Sequence, residues 1–214
     1  MIHLLASMLI AAAPGRVLVY SFTVGINDRT VDSAAGEHGD VHRNEVSDLG
    51  TITVTVVGLD PGGGLVVNVA ESARTNRSVA PATCIIFSNT NVMCGSSVVT
   101  PEETSILRPL NPKFVDPTTL DAKGHWHIAP GSGVSIDYTV SQNAGGFAIT
   151  GTRDESSPQG TVHSEMTYTY DAAKVVTTHV HEYQTVREQS GAVNALTTIE
   201  VQGTLTSDSL SSKA

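Results

Sequence analysis

A two-residue alternation of apolar and polar side chains recurs from Leu18 to Leu205, and it constrains this chain more than any other feature. In Thr161–Tyr170 the apolar set is Val162, Met166, Tyr168 and Tyr170, against His163, Glu165, Thr167 and Thr169. In Val193–Leu205 it is Val193, Ala195, Ile199, Val201 and Leu205, against Asn194, Thr198, Glu200, Gln202 and Thr204. Val134, Ile136, Tyr138 and Val140 form the cleanest set. Successive side chains of an extended strand point to opposite faces, so each apolar set covers one face of a sheet. Lys174–Glu188 is rich in Val and Thr, yet both of its faces are mixed. Asp171-Ala172-Ala173 and Gln189-Ser190-Gly191 are turn sequences on either side of it.

The same pattern places a first strand at Val17–Ile26 and a hairpin at Gly50–Asp60 and Gly64–Ser72, turned by Asp60-Pro61-Gly62-Gly63. Gly124–Ile128 is a short strand carrying Trp126, and Gly146–Arg153 pairs with Val134–Val140. Asn27–Asp48 is polar and aperiodic, and reads as a long loop or ragged edge strand. Thr100-Pro101-Glu102-Glu103 starts a helix, with a hydroxyl cap, proline in the first turn and early acids. Pro109 and Pro112 stop it near Leu107 or Arg108, and Asp116–Leu120 reads as another single turn.

No linker divides the chain and no alternating helices supply parallel crossovers. The expectation is therefore one all-β domain over residues 17–206, with residues 207–214 a frayed, disordered tail. About ten strands form a single antiparallel meander, and a sheet that wide must curl, close or split. A strongly curved sheet or partial barrel is expected, with one short helix packed on its concave face; a β-sandwich is the alternative. In this pattern alone the half-barrel resembles bacterial envelope lipid carriers.

A net charge of −9, with 12 Lys and Arg scattered along the chain, excludes nucleic acid as a partner and disfavours an anionic membrane surface. Residues 1–13 are apolar and end in Ala11-Ala12-Ala13, which reads as a signal peptide for periplasmic delivery or secretion. The run is too short to span a bilayer, so no integral membrane protein is expected. The two cysteines, Cys84 and Cys94, oppose each other if the segment between them folds as a hairpin. Phe87 then faces Asn91 and Ile86 faces Val92, a geometry in which a disulfide forms.

Eight histidines are the main candidates for chemistry. They cluster as His38 with His42, His125 with His127, and His179 with His181. A His-x-His pair on a strand shows both rings on one face, so His163, His179 and His181, with Glu165 nearby, are the candidate metal ligands. The plainer alternative is that these histidines occupy polar surface positions. No metalloprotease spacing, nucleophile elbow or phosphate loop occurs, and no cofactor is expected. Trp126, Tyr168 and Tyr170 are candidates for lining an apolar cavity, with core packing as the competing role.

Three functions remain. The leading one is an exported, non-enzymatic protein that binds an apolar small molecule, a lipid or a partner protein on its curved sheet. The others are a metal-binding protein or metal-dependent hydrolase, and a structural or adhesive surface module.

Overall fold

A computed structural model of the chain describes residues 12–32, 41–75, 79–95, 99–114, 121, 123–131, 133–143, 146–191 and 193–210. Eleven strands appear in chain order: β1 (Val17–Asp32), β2 (Val41–Leu59), β3 (Leu65–Ala73), β4 (Ala82–Ile86), β5 (Val92–Cys94), β6 (His125–Gly131), β7 (Val134–Asn143), β8 (Gly146–Ser157), β9 (Gly160–Asp171), β10 (Val176–Ser190) and β11 (Val193–Asp208). Helix α1 (Pro101–Leu107) and a 3-10 turn (Arg108–Leu110) separate β5 from β6. All strands belong to one antiparallel sheet, ordered β5-β4-β3-β2-β1-β11-β10-β9-β8-β7-β6. It is a single sheet rather than a sandwich, and β5 and β6 remain as its edges.

The order has a consequence that the meander expectation lacks. The first and last strands pair along the middle of the sheet, from Leu18 opposite Asp208 to Asp32 opposite Val193. The break in the meander falls instead at α1, which carries the chain from one edge to the other.

Two contacts show how far the sheet curls. The Asn111 side-chain amide donates to the Ile86 carbonyl in β4 at 2.7 Å. Phe114 packs edge-on against Trp126 in β6, Tyr138 in β7 and Tyr168 in β9, at 6.0, 5.4 and 5.4 Å between ring centres. Three residues of chain reach about 11 Å at most. Laid flat, β4 and β7 would stand about 38 Å apart at the usual strand spacing. The two arms therefore bend towards each other around the segment that follows α1.

Alternation decides which side chains enter the concave interior. Tyr20, Phe22 and Val24 of β1, Ile52, Val54 and Val56 of β2, Ile136 and Tyr138 of β7, and Met166 and Tyr168 of β9 are all buried. Cys84 and Cys94 are directly opposed, their Cα atoms 4.0 Å apart, and form the expected disulfide. Phe87 N–H donates to the Asn91 carbonyl at 2.9 Å, in the expected register.

Two expectations are corrected. Within Asn27–Asp48, residues 27–32 and 41–48 are strand in the middle of the sheet: β1 runs on to Asp32 and β2 begins at Val41, these ends pair with each other, and β1 pairs with β11; residues 33–40 lie outside the described residues. These strand ends are polar because that end of the sheet is wet on both sides. Ser207 and Asp208 belong to β11 and not to a frayed tail. The Asp208 carboxylate is bound by the buried Arg16 guanidinium at 2.8 Å, which holds the strand end in place. Residues 1–11 of the apolar leader, the turn expected at 116–120 and residues 211–214 lie outside the described residues.

Candidate functional site

Helix α1 starts where its sequence says it should. The Thr100 hydroxyl accepts from Glu103 N–H at 3.2 Å, and the Glu103 carboxylate accepts from Thr100 N–H at 3.2 Å. The helix rests on the concave face against β11, β1 and β10. Its approach is close because β11 offers a glycine: a Cβ built on Gly203 would sit 2.9 Å from Ile106 Cγ1.

This seat delivers Arg108 onto β10. Its Nη1 donates to both carboxylate oxygens of Glu182, at 2.9 and 2.8 Å, with the two side chains only 5% and 3% exposed. Burial works to raise the Glu182 pKa, but the Arg108 charge and hydrogen bonds from Arg108, Ser105 and Ser164 hold it below the ordinary carboxylate value. Burial also works against the Arg108 charge, and Glu182 outweighs it, so the guanidinium stays protonated. Arg108 Nε has no hydrogen-bond partner among the described residues. Burial pushes the neighbouring Tyr138 and Tyr168 hydroxyls up, so both are neutral.

Next to this ion pair is a cleft of about 190 Å³. Val99, Pro101, Thr104 and Ser105 line it from the helix side, and Gln184, Ile199 and Val201 from the sheet. The concave face continues past the cleft, where the described residues cover it only in part. One cross-strand row there reads Val46, Ile26, Ile199, Gln184, Ser164, Arg153 and Ile136. The next reads Asn44, Asp28, Thr197, Val186, Val162, Glu155 and Val134, with the Thr197 hydroxyl donating to Asp28 Oδ1 at 2.7 Å. These residues have the inward parity of Val24, Val201 and Met166; Ile136 and Ser164 are fully buried, and among the described residues no helix lies on the others. Ile26, Ile199, Val186, Val162 and Val134 are only half-buried, and Val46 is 46% exposed. The concave face is thus filled over one half, while over the other a half-buried aliphatic patch (Val46, Ile26, Ile199, Val186 and Val162) lies among polar and charged side chains.

The nominated aromatics lie in the filled half. Trp126, Tyr168 and Tyr170 are buried. Trp126 stacks on Tyr138 at 4.7 Å, Tyr168 meets Phe114, and Tyr170 lies against Phe147. The nominated histidines lie on the opposite, convex face. His181 is opposite Thr167 and His163 opposite Thr185, so four residue positions, or about 13 Å, separate them along the strands. Each has its own neighbour instead: His163 Nδ1 lies 2.7 Å from Asp154, His181 Nε2 3.0 Å from Glu200 and His179 Nδ1 3.3 Å from Thr204. His127 pairs with Asp137 at 2.8 Å in the same manner. Among the described residues no three His, Cys, Asp or Glu side chains gather as a metal site would require. His38 lies outside the described residues.

Arg108 and Glu182 escaped the sequence reading, although one signal was present. Glu182 follows Val180 at the inward spacing of β10, and that carboxylate among inward positions is what made the faces of Lys174–Glu188 look mixed. A register shift at Thr177–His179 blurs the pattern further.

No family model matches the chain, and no curated protein matches it. Among solved structures it is similar to the S-type phycobiliprotein lyase CPES from Guillardia theta, at 8% identity over 94% of this chain and 93% of that one, with a TM-score of 0.35. At that level the likeness shows neither a family nor a ligand.

Proposed function

We propose that the protein is an exported binding protein that holds an apolar ligand along the open half of its concave face. The observation that carries this reading is the run of inward-facing aliphatic side chains beyond α1, Val46, Ile26, Ile199, Val186 and Val162, which the described residues leave partly uncovered. Aliphatic surface of this kind is stabilised by removal from water. Export is supported by the apolar leader and by the Cys84–Cys94 disulfide, since such bonds persist in oxidising compartments. No helix among the described residues is long and apolar enough to cross a membrane.

A chain lying on such a face gains about 0.8 kcal/mol per methylene buried, which is roughly a fourfold gain in affinity for each added carbon. The test is displacement of a fluorescent apolar probe by a homologous series of single-chain lipids. Affinity should climb with chain length until the open face is covered, and Val46→Asp should weaken every member of the series while leaving the melting temperature unchanged. Affinity that ignores chain length, or a Val46→Asp protein that binds as the wild type does, would remove the basis for this function.

A further inference from the structure

We propose that the ligand is a single-chain amphiphile with an uncharged polar head, and that the head enters the cleft between α1 and strands β10 and β11. The inference rests on the binding reading above and adds the class of ligand and its direction. The cleft and the open apolar face are continuous, because Gln184 and Ile199 belong to both. The cleft holds the ion pair with the Thr104, Ser105 and Gln184 side chains, and from Ile199 at its edge an aliphatic row runs through Ile26 to Val46, which suits a molecule with a polar head and an apolar chain.

Size and charge narrow the choice. A volume of about 190 Å³ holds roughly six waters, at about 30 Å³ each, or a head of similar bulk such as glycerol. Arg108 and Glu182, both almost fully buried, line the cleft and neutralise each other. A carboxylate or phosphate head would compete with Glu182 for the one guanidinium, at the cost of a second buried negative charge. An ammonium head would be brought up against Arg108. A hydroxyl or ester oxygen meets neither penalty. The groups it meets are neutral: the Thr104 and Ser105 hydroxyl oxygens, which donate to the Thr100 and Pro101 carbonyls at 3.0 and 2.9 Å and can accept from a ligand hydroxyl, and the Gln184 amide, whose Nε2 donates to Ser164 Oγ at 3.3 Å. Arg108 Nε is a nearby buried donor that no group among the described residues satisfies.

The experiment compares monodecanoylglycerol, decanoate and decylammonium, which share a chain length, by probe displacement on the full chain near neutral pH. The glycerol ester should bind at least about tenfold more tightly than either ion, because burying an unpaired charge is far costlier than burying a hydroxyl. Two variants locate the effect. Glu182→Gln leaves the Arg108 charge uncompensated and should make decanoate the preferred ligand. Thr104→Phe fills the cleft from the helix side and should bring the three affinities together without abolishing chain binding. Equal affinities in the wild type, or a Glu182→Gln protein that still prefers the ester, would overturn the head assignment and leave the open-face reading standing. If none of the three binds, both fall.

Discussion

Arg108 and Glu182, 74 residues apart in sequence, meet at 2.8 Å beneath the start of the 3-10 turn and join the chain crossing to the sheet it crosses. An ion pair this deep contributes little beyond what apolar residues of the same volume would, because both charges lose their water. Its role is positional: it ties the end of α1 to one point on β10 and sets where the covered half of the concave face ends.

Removing one partner strands the other. Glu182→Ala should destabilise the fold by about 3–5 kcal/mol, the usual cost of an uncompensated buried charge. Arg108→Met combined with Glu182→Leu should recover most of that loss. Denaturant unfolding of the two single variants and the double variant measures the coupling directly.

Acid should weaken the protein through the same kind of contact. Burial works to raise the Asp208 pKa, but hydrogen bonds from Arg16 and from Leu210 N–H, with the Arg16 charge, hold it below the usual value. Glu182 is held down in a similar way by Arg108. A carboxyl with a depressed folded-state pKa stabilises the protein fully above the unfolded value of about 4, and that contribution is lost as the pH falls through the lower folded value. The denaturation midpoint should thus be level from neutral pH down to about 5 and drop steeply below about 4. Asp208→Asn should lower the plateau and shallow the drop.

The disulfide closes a loop of sequence separation 10 at the edge of the sheet. Chain-entropy reasoning assigns such a loop about 2–3 kcal/mol. Reduction, or Cys84→Ser with Cys94→Ser, should lower the melting temperature, and amide hydrogen exchange should quicken first in β4 and β5. Exchange in β1 and β11, at the centre of the sheet, should change least.

Gly203 is where the helix touches the sheet most closely. Gly203→Ala would place a methyl 2.9 Å from Ile106 Cγ1 and 3.1 Å from its Cδ1, so α1 would have to lift. Overpacking of this kind costs about 1–3 kcal/mol. Ile106→Val in the same chain should return part of the loss, since it shortens the side chain that meets the new methyl.

Much of the architecture was legible because the signals were local. Alternation at Ile136 and Tyr138 named their buried face, and both are sealed. The cap at Thr100 and the proline at 109 bracketed the helix, and the spacing of Cys84 and Cys94 set a hairpin register. Where local signals were weak the reading went astray. Asn27–Asp48 lacks an apolar face because its strands run past the filled core. Asp208 looked like tail because its partner, Arg16, lies at the other end of the chain.

The sequence by itself determined the extended segments, the face each one buries, the crossing helix and the disulfide, since each follows from residues within a few positions of one another. The tertiary structure decided that β1 pairs with β11, that β5 and β6 are left as edges, and that Arg108 meets Glu182. Backbone ladders are alike between any two strands, and closing a longer loop costs only slightly more. The choice among pairings therefore falls to how well all the inward side chains fill one curved interior together, and to which of them that interior leaves open.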